Sequence, residues 1–155
     1  MKLATFFALA LSSACISLAH AATNAADAIG YIKTLSGSVT LNNGEAAAPA
    51  AIGSPVTARS ILKTSADSSV GITLRDDTLL ALGPNTEFAM RDYAYAPGEG
   101  KLSLVGRLTR GTLNYVSGVI AKLKPDAVSV ETPSGLLGVR GTQFVVKVDD
   151  SEVAK

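Results

Sequence analysis

From Ile29 onward, turn-forming residues punctuate the chain every eight to twelve positions, with short apolar or β-branched runs between them. That spacing is the signature of many short strands and leaves no room for helices of ordinary length. Within the runs, alternation assigns faces. Val39 and Leu41 oppose Ser38 and Thr40, and Val70, Ile72 and Leu74 oppose Gly71, Thr73 and Arg75. Phe88 and Met90 share a face, as do Leu102 and Leu104, and Leu113 and Tyr115. Asn42-Asn43-Gly44 reads as a hairpin reversal, Asp76-Asp77 and Gly83-Pro84-Asn85 as tight turns, and Pro97-Gly98-Glu99-Gly100 as a loop. Residues 45–55, alanine-rich with two prolines, read as a surface loop. Residues 117–124 have room for a helical turn or two, bounded by Gly118 and Pro125. The expectation is all-β: one domain of about ten short strands in a β-roll, sandwich or solenoid. The recurring turns Ser36-Gly37-Ser38, Arg110-Gly111-Thr112 and Arg140-Gly141-Thr142 are consistent with stacked rungs.

The densest feature is Gly135-Leu136-Leu137-Gly138-Val139-Arg140-Gly141-Thr142. Residues 127–132 before it alternate, with Val128 and Val130 on one face, and Pro133-Ser134-Gly135 breaks that run. After it Phe144, Val146 and Val148 alternate with Gln143, Val145, Lys147 and Asp149. Two strands therefore flank a glycine-rich corner. Gly138 and Gly141 suit positive φ or close approach of another strand. Arg140 between them brings five donors. Either it satisfies carbonyls or a carboxylate such as Glu131, Asp76 or Asp77 within a tight turn, or it grips a ligand carboxylate or phosphate bidentately.

The N-terminus carries an address. Met1-Lys2 precedes an uncharged run to Leu18, ending in Ala19-His20-Ala21, the pattern of a secretory signal peptide cleaved after Ala21. Lipidation at Cys15 competes, although Leu11 lies four residues before the cysteine rather than three. Removing residues 1–21 of 155 leaves 134, of which 22–28 read as a tether and 29–155 as the β domain. The only cysteine and the only histidine, Cys15 and His20, go with the presequence. The exported chain is thereby without a disulfide, a Cys or His metal site, or a histidine-based triad. It carries 13 basic against 13 acidic residues, a balance that does not favour nucleic acid.

With those residues in place the chain resembles the FecR-type domain, the periplasmic β domain of ferric-citrate-type regulators. The resemblance is carried by Gly30-Tyr31, Ser36-Gly37-Ser38-Val39, Thr64-Ser65-Ala66-Asp67-Ser68-Ser69-Val70 and Leu74-Arg75-Asp76-Asp77-Thr78. It continues through Leu82-Gly83-Pro84-Asn85-Thr86, Gly111-Thr112-Leu113 and Thr132-Pro133, and is most specific at Gly138-Val139-Arg140-Gly141-Thr142. Where the family usually has Gly-Asp before the strand ending in Thr64, this chain has Arg59-Ser60. Where the family has Asp-Gly, it has Asp76-Asp77, so two corners that lose a glycine are expected to be looser. The family normally adds another hairpin after the last motif, so the strand at 144–148 is expected to present an open edge.

The resemblance implies an exported sensing, protein-interaction or scaffolding module of the bacterial envelope; the anti-sigma segment and transmembrane helix that ferric-citrate-type regulators add do not fit in 134 residues, so direct sigma-factor control is not expected. It points to a protein partner in the envelope, no cofactor and no membrane span. Gly138, Arg140, Gly141 and Thr142 are then family-motif residues of structural character. Catalysis lacks a motif: Asp76-Asp77 and Asp149-Asp150 are adjacent pairs that read as solvated turn acids. Asp67, Asp76 and Asp77 do not have calcium-loop spacing. The interaction reading places partners on the edge strand at Phe144 and Val146 or on the aromatic loop Tyr93-Ala94-Tyr95. The alternative, a cell-wall glycan-binding module, needs Tyr93 and Tyr95 as an exposed platform.

Overall fold

The computed structural model describes residues 27–149. The expected signal peptide and most of the expected tether lie outside them; Ala28 is already buried and opens the first strand.

Twelve strands and one short helix follow in order. They are β1 Ala28–Ser36, β2 Val39–Asn42, β3 Ala48–Pro49, β4 Pro55–Thr57, β5 Ile61–Thr64 and β6 Ser69–Leu74. Then come β7 Leu79–Leu82, β8 Glu87–Ala96, β9 Lys101–Val116, α1 Val119–Leu123, β10 Val128–Thr132, β11 Gly135–Gly138 and β12 Gln143–Val148. They form one curled sheet in the order β3-β2-β5-β8-β9-β7-β6-β1-β4, with β10 and β12 also on β9, and β11 on β10. The all-β expectation holds, and the architecture is a roll.

β9 is the spine. Its first ten residues pair with β8, from Glu87↔Arg110 to Ala96↔Lys101. Its last residues pair with β7 on one side and β12 on the other. The transfer between halves happens at Gly111, where φ is 88° and an added Cβ would collide with Cα and Oγ1 of Thr86. Thr86 in turn accepts a hydrogen bond from the Thr112 N–H at 2.9 Å, so the bend is tied as well as permitted. β10 lies parallel to β9, Val128↔Leu104 to Glu131↔Arg107, while every other pair is antiparallel. A parallel neighbour requires a crossover, and α1 supplies it. Inward residues from both halves, among them Ile32, Leu62, Leu80, Phe88, Leu108, Leu113 and Ile120, meet in one core.

Alternation accounts for most of this. Val70, Ile72, Leu74, Asp76, Thr78, Leu80 and Leu82 are all buried, so parity runs unbroken through the β6–β7 turn. That turn closes by Asp77 N–H to Leu74 O at 3.1 Å and Leu74 N–H to Thr78 O at 2.9 Å. Asp77 takes φ 63° in the position a glycine would otherwise hold. The corner expected to loosen is therefore well formed. At the other substituted corner the Ser60 hydroxyl accepts from Thr57 N–H at 2.7 Å and donates to the Asn43 side chain. Three more local readings change. The 45–55 loop contains β3, the Tyr93–Tyr95 loop is the end of β8, and the glycine-rich corner contains β11.

Candidate functional site

The 138–142 corner carries the chain from the edge of one half-sheet to the edge of the other. β11 ends at Gly138 on β10, and β12 begins at Gln143 on β9. Between them Val139 plugs the core at 4% exposure, its N–H donating to Val128 O at 3.3 Å. Ser117 ties the far side, its hydroxyl donating to Gly141 O at 2.6 Å and its N–H to Thr142 O at 2.8 Å. Gly141 adopts φ 130°, whereas Gly138 has no positive φ, and no atom lies within 4 Å of an added Cβ at either. Gly141 serves the direction of the chain, and neither glycine serves close approach. Thr142 is exposed.

Arg140 finds a carboxylate, but a different one from Glu131, Asp76 or Asp77. Among the described residues its guanidinium lies 3.9 Å from Asp126, and both side chains are 88% exposed. Such a pair contributes little to folding. Two shallow depressions meet at this arginine. One, of about 330 Å³, is lined by Ala121, Pro125, Asp126, Val139 and Gly141; the other, of about 370 Å³, reaches Leu136 and Gly138. Leu136 is 66% exposed beside them.

The other sequence-derived residues turn inward. Phe144 and Val146 are half-buried against the core, and Phe144 stacks on Tyr115 with ring centroids 4.8 Å apart. What β12 presents outward is Gln143, Val145 and Lys147. Tyr93 and Tyr95 are half-buried on β8 and packed on the same core. The Tyr93 hydroxyl donates to Asp76 Oδ1 at 3.1 Å and accepts from the Asp76 N–H, also at 3.1 Å. Burial, then the Asp76 charge, push the Tyr93 phenol well above its ordinary value.

Asp76, read from the sequence as a solvated turn acid, is fully buried. Its Oδ2 accepts from the Thr78 hydroxyl at 2.7 Å and from Ile120 N–H at 3.3 Å, while its backbone carbonyl accepts from Val119 N–H at 2.7 Å. Thr78 Oγ1 in turn accepts from Gly118 N–H at 3.2 Å. One residue thus docks α1, and with it the crossover into β10. The signal that would have found it is parity: Asp76 and Thr78 continue the inward series of β6 and β7. Its oxygens are taken up by donors, an arrangement for holding structure rather than for proton transfer or cation binding. Among the described residues no group of three or more His, Cys, Asp or Glu stands together to hold a metal. None of their helices is long and apolar enough to cross a membrane.

Neither a curated protein nor a solved structure matches the chain. A family model described as FecR protein matches residues 60–154, from just before β5 through β12 and including the whole corner. β1 to β4 precede that match yet bury Ile32, Val39 and Val56 in the same core. Matched over more than half of its 155 residues, the chain belongs to the FecR protein family.

Proposed function

We propose that this chain is an exported, non-enzymatic FecR-type module of the bacterial envelope that recognises a protein partner through the outer surface of its glycine corner. The observation that carries the reading is Arg140. It stands at the family's most specific motif, contributes little to the fold, and borders two depressions beside the exposed Leu136. Arginine is enriched at protein interfaces, where it adds a directional charge beside apolar surface such as that of the exposed Leu136. Membership of a regulatory family related to periplasmic sigma-factor regulators supports the same reading. The secretory-signal pattern of residues 1–21 supports export, to the periplasm or beyond.

The glycan alternative draws no support from Tyr93, whose hydroxyl is engaged with Asp76 inside the sheet instead of facing solvent.

Expression of the full chain with intact presequence, fractionation and intact-mass measurement test export. Recovery outside the cytoplasm with Ala22 as first residue is expected; an unprocessed cytoplasmic chain would overturn it. Chemical cross-linking in the envelope tests recognition. A discrete cross-linked protein is expected, lost in Leu136→Glu and weakened in Arg140→Ala. A partner retained equally by both variants would remove the corner from the interface, and sedimentation with peptidoglycan in place of any protein partner would favour the glycan alternative.

A further inference from the structure

Of the asparagines in this chain only Asn43 is followed by glycine. An asparagine amide is open to attack by the backbone nitrogen of the next residue, and a glycine there, without a Cβ, shields that nitrogen least. Asn43 lies half-buried in the bend between β2 and β3. It forms part of the wall of two depressions, one of about 350 Å³ bordered by Pro49 and Pro55, the other of about 400 Å³ bordered by Asp27, Thr57 and Arg59. Water therefore reaches the amide, and dryness does not protect it.

Hydrogen bonds instead occupy both ends of the amide and the nitrogen that would attack it. Asn43 Nδ2 donates to Pro55 O at 3.0 Å, and Asn43 Oδ1 accepts from the Ser60 hydroxyl. Ser60 is a fixed anchor. It is fully buried, its N–H donates to Thr57 O at 3.1 Å, its hydroxyl accepts from Thr57 N–H at 2.7 Å, and its carbonyl accepts from Met90 N–H at 2.8 Å. Gly44 N–H donates to Asn42 Oδ1 at 2.8 Å, closing an Asx turn around the attacking nitrogen. The side chain of Asn43 is thus latched to the β4–β5 corner.

We propose that Asn43-Gly44 is a fold-gated deamidation site, silent while the amide is latched to Pro55 and Ser60 and converted when that latch opens. On opening, the Gly44 nitrogen gives up its proton to solvent and bonds to Asn43 Cγ. The Cγ–Nδ2 bond breaks, ammonia takes up a proton from solvent and leaves, and a cyclic imide remains. Water then adds to either imide carbonyl and opens the ring to aspartate or isoaspartate, so that water is consumed and ammonia released without oxidation or reduction. The product cannot close the latch again, because a carboxylate has no donor for Pro55 O. Conversion is a one-way record of opening at this corner. The proposal stands apart from the envelope-partner reading, since it uses the β2–β3 bend and not residues 138–142.

The test follows the purified chain in mildly alkaline buffer by peptide mass mapping with enzymatic labelling of isoaspartate. In denaturant, Asn43 should convert ahead of Asn42, Asn85 and Asn114. In the folded chain it should convert at least about tenfold more slowly than in denaturant. Folded Ser60→Ala, which lacks the donor to Asn43 Oδ1, should convert about fivefold faster than the folded parent. Tyr93→Phe loosens the β6–β7 turn instead and should convert like the parent, which separates the latch from general loosening. The folded-to-denatured ratio of the parent tests the gate even where Ser60→Ala does not fold. Equal rates in the folded and denatured parent, a folded Ser60→Ala no faster than the parent, or equal acceleration in Ser60→Ala and Tyr93→Phe would each overturn the proposal.

Discussion

Two corners of this molecule use the same local chemistry to opposite ends. At the β6–β7 turn, Asp76 and Thr78 are buried against the core on either side of the exposed Asp77, and the buried carboxylate gathers Thr78, Tyr93 and the start of α1. At residues 138–142 only Val139 enters the core, while Arg140 and Thr142 stand in solvent. The more family-specific corner is thus the less internally engaged one. Sequence specificity at a turn and energetic weight at a turn are separate properties. The first corner has donors that would be stranded in apolar surroundings without their acceptor; the second has few groups whose loss the fold would feel.

The largest effect expected from this contrast is at Asp76. Replacing it by alanine leaves the Thr78 and Tyr93 hydroxyls and the Ile120 N–H without an acceptor. The expected cost is about 3–5 kcal/mol in denaturant unfolding, with Asp76→Asn in between. A cost no greater than that of a surface substitution would dissolve the contrast.

Paired glycine substitutions sharpen it next. Gly111→Ala forces a side chain onto the Thr86 backbone at φ 88° and should cost roughly 3 kcal/mol. Gly141→Ala, strained in φ but opening onto free space, should cost about 1 kcal/mol. Equal costs would mean that backbone strain alone decides both positions.

Tyr93→Phe removes one donor to Asp76 and should cost about 1–2 kcal/mol near neutral pH. Its pH signature is separate. The folded phenol is raised above its unfolded value, so the neutral form it stabilises is fully present below about pH 10 and its contribution is lost as pH rises beyond that. Thermal melts from about pH 8 to about pH 11 should fall more steeply in the parent chain than in Tyr93→Phe. Tyr115, raised chiefly by burial, keeps a residual slope in the variant.

The smallest effect is expected at Arg140. Its exposed contact with Asp126 is worth at most about 0.5 kcal/mol, so Arg140→Ala should unfold like the parent chain while weakening partner cross-linking. Stability lost on the scale of Asp76→Ala would make the second corner a structural twin of the first.

Much of the fold was legible in the residues, for a physical reason. Strand faces obey a period of two wherever one side is buried, and Val39, Leu41, Val70, Ile72, Leu74, Phe88, Met90, Leu113, Val128 and Val130 all stand inward as their alternation required. Turn positions were readable because few residue types tolerate positive φ, as at Gly37, Gly44, Gly111 and Gly141. Asp76 was missed because composition argues for solvated acids at turns, whereas burial of a carboxylate depends on donors supplied from positions 78, 93 and 120, far apart in sequence. Phe144 and Val146 had the right periodicity for a strand. Which side of that strand remained open for contact was a matter of neighbours.

The sequence by itself determined the all-β class, the strand faces, most turns and the family, since each rests on local spacing and conformational preference. Only the tertiary structure decided that β9 would serve both halves of the roll, that Asp76 would anchor the crossover helix, and that Arg140 would face solvent. Those outcomes depend on which distant strands become neighbours, and pairing energies between segments far apart in the chain leave no periodic trace in either segment alone.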